Sequence, residues 1–378
     1  MEKSENFPCF SLMSNNNPIN NVKKPTDVRY WVVLIITYIG LFVGSIASSL
    51  LSRFYFVHGG SSRWVSTWVQ SAGFPVLLIP IYIPYFFNKS KQNPMPKPFS
   101  LFTKQLLLIS ISIGLIVGFS NFLFSWGTSY LPVSTESLLL STQLAFNLIL
   151  SVILVKQRVT FFNLTAVVLI TLSSILLALG SSHDRPKGTS QGQYFMGFFA
   201  ILGAGLIFAI YLPLVEIAYK KIHSYEMVME MQLVMQTAAQ VIAIVGMATD
   251  GGYEDMVTES KAKFDRGRVA YGLTIGFTLI TWQMSFMGTA GLVYLTKSLT
   301  GGVCMTALLP MNVFGGVLAF GDKFGGNKAI STLLCIWGFC SYVYGEYIKT
   351  KEEKEDLMKR NVEMADMKED EHTLCNVA

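Results

Sequence analysis

Hydrophobic positions along this chain come in blocks. From Trp31 to Ile348 charges gather in short clusters, and the stretches between run about 20 residues with almost none, the length one helix needs to cross the hydrocarbon core. A soluble core can hide one or two such helices, but not ten in a row. The blocks predict spans near 31–51, 65–87, 105–128, 132–155, 160–180, 193–217, 227–248, 269–294, 298–319 and 327–347. Helices are the only open option, because lipid offers no partner to an unpaired backbone group.

Composition agrees. Hydrophobic residues make up 51% of the 378 and charged residues only 14%, against roughly 25% in soluble domains. The net charge of +5 is modest, and no basic stripe is interleaved with aromatics, so nucleic acid is excluded as a partner. The five cysteines show neither zinc-site spacing nor a disulfide framework. The segment up to Arg29 is too polar for a cleaved signal peptide, so the first helix is expected to stay.

Charge sets the expected orientation. With both termini in the cytosol, 19 basic residues fall on the cytosolic side and 10 on the other. That excess requires an even number of spans. The sequons at Asn88 and Asn163 then fall on the cytosolic side, where glycosylation does not reach them.

The two halves look related. At a shift of 164, Tyr130 and Leu131 meet Tyr294 and Leu295, Ser134 meets Ser298, Thr142 meets Thr306 and Gly127 meets Gly291; at 165, Gly40 and Leu41 meet Gly205 and Leu206, and Gly180 meets Gly345. Five spans per half is an odd number, so the copies must be inverted in the membrane, a common transporter plan with a site at the midplane. The expected fold is an all-α membrane protein of ten transmembrane helices in two inverted five-helix repeats (5+5). The segments are a cytosolic tail over 1–30, a first repeat over 31–180, an extracellular linker over 181–192, a second repeat over 193–348, and a charged cytosolic tail over 349–378, read as a solvated extension.

Polar groups at membrane depth are costly and usually face the bundle interior. The second expected span carries Trp68 and Gln70, followed by Pro75, Pro80 and Pro84; the third has Asn121 and Trp126; the sixth has Tyr211, Pro213 and Glu216; the eighth has Trp282 and Gln283. On the fourth, Glu136, Gln143 and Asn147 follow at spacings of 7 and 4 and share one face. Amides offer both a donor and an acceptor, which suits a flat neutral heterocycle, and Trp and Tyr can stack on its ring. The competing role for such amides is to bond neighbouring helices together. An acidic side chain at this depth can take up and release a proton during transport, with Glu136 the first candidate and Glu216 the second. Gly114 with Gly118, and Gly203 with Gly205, are read as close-packing pairs.

Enzyme signatures are missing. No phosphate loop or zinc-protease motif is present, no cofactor motif is legible, and all four histidines fall outside the span centres, which argues against an intramembrane metal site. No Arg-rich voltage-sensor helix or carbonyl filter suggests a channel.

Four segments resemble a known family. Leu50 through Trp64, Tyr130 through Thr135 with Ser141 through Asn147, Leu212 through Glu216 with Tyr219 to Lys221, and Trp337 to Phe339 with Tyr342 to Glu346 are similar to signatures of the plant purine permeases, over about residues 31 to 348. The resemblance implies a drug/metabolite transporter fold and proton-coupled uptake of adenine, cytokinins or alkaloid and pyridine bases. It also carries Gln143, Asn147, Trp282 and Gln283 into the central cavity. The chain departs from the pattern at Glu136, where a small polar residue is usual, and at Ser120, where some members have Asp.

The resulting expectation is an alternating-access secondary transporter in the plasma membrane, whose partners are a small heterocycle, protons and lipid; a homodimer is compatible with it. Asn121, Gln143, Asn147 and Gln283, with Gln70 beside them, would bond the ring edge, and Trp68, Trp126, Tyr211 and Trp282 would wall it. The rivals are an alkaloid or vitamin B6-like pyridine transporter, a solute-binding membrane receptor, and a membrane-embedded enzyme acting on lipid.

Overall fold

The computed structural model describes residues 28–88, 97–143, 145–146, 149–150, 161–179, 188–222, 224–295, 298–322 and 324–377, and no strand occurs among them. In chain order the helices are α1 (Val28–Val57), α2 (Arg63–Ala72), α3 (Leu78–Asn88), α4 (Lys104–Tyr130), α5 (Val133–Leu140), α6 (Phe161–Leu179), α7 (Gln191–Tyr219), α8 (Tyr225–Thr249), α9 (Gly252–Thr258), α10 (Gly267–Leu295), α11 (Ser298–Phe320) and α12 (Gly326–Val377). Among the described residues five helical segments are long and apolar enough to cross a membrane: Trp31–Val57, Arg63–Phe87, Lys104–Tyr130, Gln191–Tyr219 and Tyr225–Thr249.

Helix ends follow local chemistry. Ser62, Thr103 and Ser224 cap the amides of Val65, Leu106 and Met227. Ser190 and Gln193 form a reciprocal capping box at the start of α7. The expected second span is not one helix. It stops at Gly73, passes through a 3-10 turn over Phe74–Leu77 that contains Pro75, and resumes as α3. The fourth span is likewise interrupted by a turn at Ser141. The charged tail is helical, since α12 runs through it without a break to Val377. Its Lys and Glu residues are good helix formers, and Lys351 meets Glu355 at 3.9 Å across one turn.

The bundle exposes large apolar side chains and buries polar ones within a largely apolar core. Ile35, Ile36 and Ile39 on α1, Leu108 and Phe119 on α4, Val241 and Val245 on α8, and Leu273 and Phe277 on α10 all point outward. Ser48, Ser52, Gln70, Ser125, Gln232, Gln236, Gln240 and Gln283 are buried. Water would reverse that distribution, whereas lipid favours it.

Helix pairing crosses between the halves. α1 runs along α10, and α4 runs along α7; α4 also packs on α8, as α2 does on α10; α5 faces α11, and α6 faces α12. Glycines permit the close crossings. A Cβ on Gly44 would sit 2.5 Å from the Ser285 amide nitrogen, one on Gly288 would strike the Leu41 backbone, and one on Gly127 would strike Ile201. Gly114 and Gly118 press against the Met235 and Ala239 backbones of α8, as close-packing glycines do. Gly203 and Gly205 have more room.

Candidate functional site

Three of the expected amides gather around the break after α2. Gln70 Nε2 donates to Ser125 Oγ at 2.7 Å, to the Asn121 carbonyl at 3.1 Å and to the Ser66 carbonyl at 3.3 Å. Ser125 continues to Ser66 Oγ at 3.1 Å, and Ser71 donates to Gln240 Oε1 at 2.8 Å. This network bonds α2 to α4 and α8. It leaves Gln70 Oε1 and Asn121 Nδ2, an acceptor and a donor, buried without a partner among the described residues. Gln283 is also fully buried, and neither of its amide atoms makes a hydrogen bond to a described residue. It lies against the break itself, since a Cβ on Gly73 would come 3.2 Å from Gln283 Oε1.

Beside Gln283, the Trp282 ring stacks on Phe286 with centroids 5.6 Å apart and meets the edge of Phe124 at 5.3 Å and 88°. Its Nε1 donates to Ser52 on α1 at 3.2 Å. Phe124 and Ser52 were not among the expected site residues. Phe124 follows Asn121 by one turn on the same face of α4, which was the available signal.

The other expected residues lie elsewhere or in part elsewhere. Gln143 is half-buried near Gly205 on α7. Asn147 lies outside the described residues. Tyr211 is buried in the apolar core with Phe208 against it. Trp68 packs beside the cluster of Tyr55, Val65, Val69, Phe264 and Tyr271. Trp126 sits under the Arg63 guanidinium at 5.2 Å and edge-on to Phe122, with its Nε1 unpartnered. Glu216 is half-buried in the last turn of α7. Glu136 is fully buried one turn into α5, and neither carboxyl oxygen makes a hydrogen bond within 3.5 Å. Arg53, Asp322 and Thr128 are its polar neighbours.

Comparison with known proteins then decides the family. The family model PUNUT, purine nucleobase transmembrane transport, matches residues 32–352. Probable purine permease 4 of Arabidopsis thaliana is 56% identical over 83% of this chain and 85% of its own length. Purine permease 3 and purine permease 2 of the same plant are 36% and 35% identical, over 86% and 85% of this chain and 94% and 93% of their own. The chain belongs to the purine permease family. It is therefore a membrane transporter of a purine-type solute and not an enzyme.

The purine permease signature from Leu50 to Trp64 has a structural explanation that the sequence reading missed. The fully buried carboxylate of Glu259, in the π-helical turn Glu259–Lys263 before α10, accepts from the Ser61 and Ser62 amides at 2.7 and 2.9 Å and from Ser61 Oγ at 2.9 Å. It also accepts from Tyr55 and Tyr271 hydroxyls at 2.6 and 3.2 Å. Gly59, at φ +104, lets the Lys263 carbonyl approach where a side chain would stand, and Gly60 lies flat on the Tyr55 ring. His58 Nδ1 adds a contact to the Asp265 carboxylate at 2.9 Å. The second purine permease signature, from Tyr130 to Thr135, is gripped similarly. Asp322 Oδ2 accepts from the Ser134 amide at 3.1 Å and Ser134 Oγ at 2.7 Å, and the buried Lys328 ammonium donates to Ser134 Oγ at 2.8 Å. Gly316 makes room, since its Cβ would fall 2.8 Å from Asp322 Oδ2.

Proposed function

We propose that this purine permease takes up adenine-like bases, and cytokinins built on the same ring, across the plasma membrane by proton-coupled alternating access. Ten spans form two inverted five-helix repeats with both termini in the cytosol, and the substrate sits between the repeats. The observation that carries the reading is Gln283. It is a buried amide with donor and acceptor both unspent, next to the Trp282 ring and against the broken α2. A buried amide left unpaired costs about 1–3 kcal/mol, and a heterocycle edge supplies the missing donor and acceptor. The free Gln70 Oε1 and Asn121 Nδ2 add a second such pair. Trp282, Phe124 and Phe286 offer π-faces for the ring.

The repeat is supported by the helix pairing. Exchanging first-half helices for their second-half counterparts turns α1 with α10 into α7 with α4, and α4 with α8 into α10 with α2, and both members of each pair occur. Glu136 is the proton site in this reading, because it is the acid buried without a hydrogen bond beside the cross-repeat contact of α5 with α11.

The test is uptake of labelled adenine in sealed proteoliposomes, with and without an inward proton gradient, in competition with a cytokinin and an alkaloid panel. Gradient-driven accumulation that Gln283→Ala weakens supports the reading. Absence of uptake of all of them by the wild type would sink the substrate and the coupling together.

A further inference from the structure

The α4–α5 corner contains a defect that the chain itself repairs. α4 ends at Tyr130, and the Thr128 carbonyl would ordinarily accept from the amide of residue 132. That residue is Pro132, which has no N–H. The acceptor is served from another helix instead. Arg53 of α1, nine-tenths buried, donates Nη1 to the Thr128 carbonyl at 2.8 Å and to the Ser129 carbonyl at 3.4 Å. Four residues beyond Pro132 stands Glu136, whose amide closes back on the Pro132 carbonyl at 2.9 Å. Its carboxyl group lies within electrostatic reach of Arg53 and beside the Thr128 hydroxyl, yet neither oxygen makes a hydrogen bond within 3.5 Å to a described donor.

We propose that Arg53 is the positioning residue that converts the protonation of Glu136 into movement of the α4–α5 corner. The proposal rests on the proton-coupled reading above. An ionised carboxylate in a dry site needs a partner, so an unbonded Glu136 matches its protonated form. In that form the guanidinium is free to hold α4 by its orphan carbonyl. When the proton leaves to solution, the carboxylate competes for the same guanidinium, since a charged acceptor outbids a carbonyl. The Thr128 carbonyl then loses the Arg53 donor, and the end of the helix that carries Asn121 and Phe124 is released.

The other groups around α5 are committed or neutral. Asp322 accepts from Ser134 at the start of α5 and is a second anion within electrostatic reach of Arg53, and Lys328 of α12 donates to the same Ser134 hydroxyl. Tyr194 of α7 packs against Leu138 and Leu139 in one apolar cluster, and Cys335 of α12 belongs to that cluster. α6 and α11 present no charged side chain along their lengths. Arg53 is thus the cation placed to answer Glu136.

The experiment uses the full chain in proteoliposomes with labelled adenine, for the wild type, Arg53→Gln, Arg53→Lys, Glu136→Gln and the Arg53→Gln/Glu136→Gln double variant. Adenine binding is read separately from the ligand-induced rise in Tm. Arg53→Gln is expected to keep adenine affinity within about twofold while gradient-driven accumulation falls about 10-fold or more, with a flattened dependence on external pH. The double variant is expected to be no worse than either single one. Arg53→Lys, which keeps the charge but not the two-pronged donor, is expected to show a displaced pH profile, and it decides the matter if Arg53→Gln does not fold. A wild-type pH profile in Arg53→Gln or Arg53→Lys, additive losses in the double variant, or loss of adenine binding in Arg53→Gln overturns the proposal. If the wild type itself ignores the proton gradient, the coupled reading has failed, and that outcome is visible before any variant is compared.

Discussion

The Glu259 carboxylate lies 2.7 Å from the Ser61 amide nitrogen, joining positions 198 residues apart. Two backbone amides and three hydroxyls converge on that one side chain, so the turn after α1 and the turn before α10 are held as a single corner.

Replacing Glu259 by Gln sets an amide's own donors against these five. A loss of about 1–3 kcal/mol is expected, read as a lower Tm in detergent. Asp265→Asn, at the exposed end of the neighbouring pair, is expected to cost less than about 1 kcal/mol. Equal losses for the two would show that the corner is not held by Glu259.

Gly44→Ala forces a methyl against the Ser285 backbone and is expected to destabilise by about 1–3 kcal/mol. Gly272→Ala, on the same α10 but in open space, is expected to be neutral or to stabilise by up to about 1 kcal/mol. The comparison of Tm values isolates close crossing from helix propensity.

Gln283→Leu removes a polar group that no part of the described protein satisfies. Stability is expected to hold or rise, while adenine affinity falls about 10-fold. Ser125→Ala is expected to behave in the opposite sense, losing about 1 kcal/mol of stability through the Gln70 network and little affinity. Thermal shifts with and without adenine measure both.

Trp282→Phe keeps a ring facing Phe124 but drops the bond to Ser52, and a rise in adenine KM of about threefold is expected. Trp282→Ala is expected to raise it about 10-fold or more. Uptake kinetics at matched protein content check the order, and an unchanged KM in the alanine variant would remove Trp282 from the site.

The all-helical character of the chain, and which of its residues are buried, were legible because lipid simplifies the rules. Apolar blocks of spanning length mark the helices, and the few polar residues inside them mark what faces inward, which is how Gln70, Asn121, Glu136 and Gln283 were all found. The contacts of Glu259 were not legible. That residue stands among Glu254, Asp255, Lys261 and Lys263, where one more acid reads as solvated surface, and only folding brings it onto Ser61 and Ser62. The surroundings of each Trp were not legible either, for a related reason. An aromatic in a span can wall a cavity or fill a corner, and Trp68 beside Tyr55 and Phe264 fills a corner. The break at Gly73 was half visible: Pro75 removes a backbone hydrogen bond, but nothing in the sequence says that Gln283 would lie against the break.

The crossing of α1 with α10 also bears on how the protein is made. Ser45 meets Ser285 at 2.6 Å, 240 residues further along the chain. On a ribosome, α1 emerges early with Gly40 and Gly44 bare, and its main neighbour is synthesised only after α2 to α9. The first five helices therefore cannot finish folding as they appear. Long-range closure of this kind is slow and leaves polar surface uncovered in the meantime. Truncated or stalled products of this gene are thus expected to be recognised by quality control as incomplete, however well their individual helices insert.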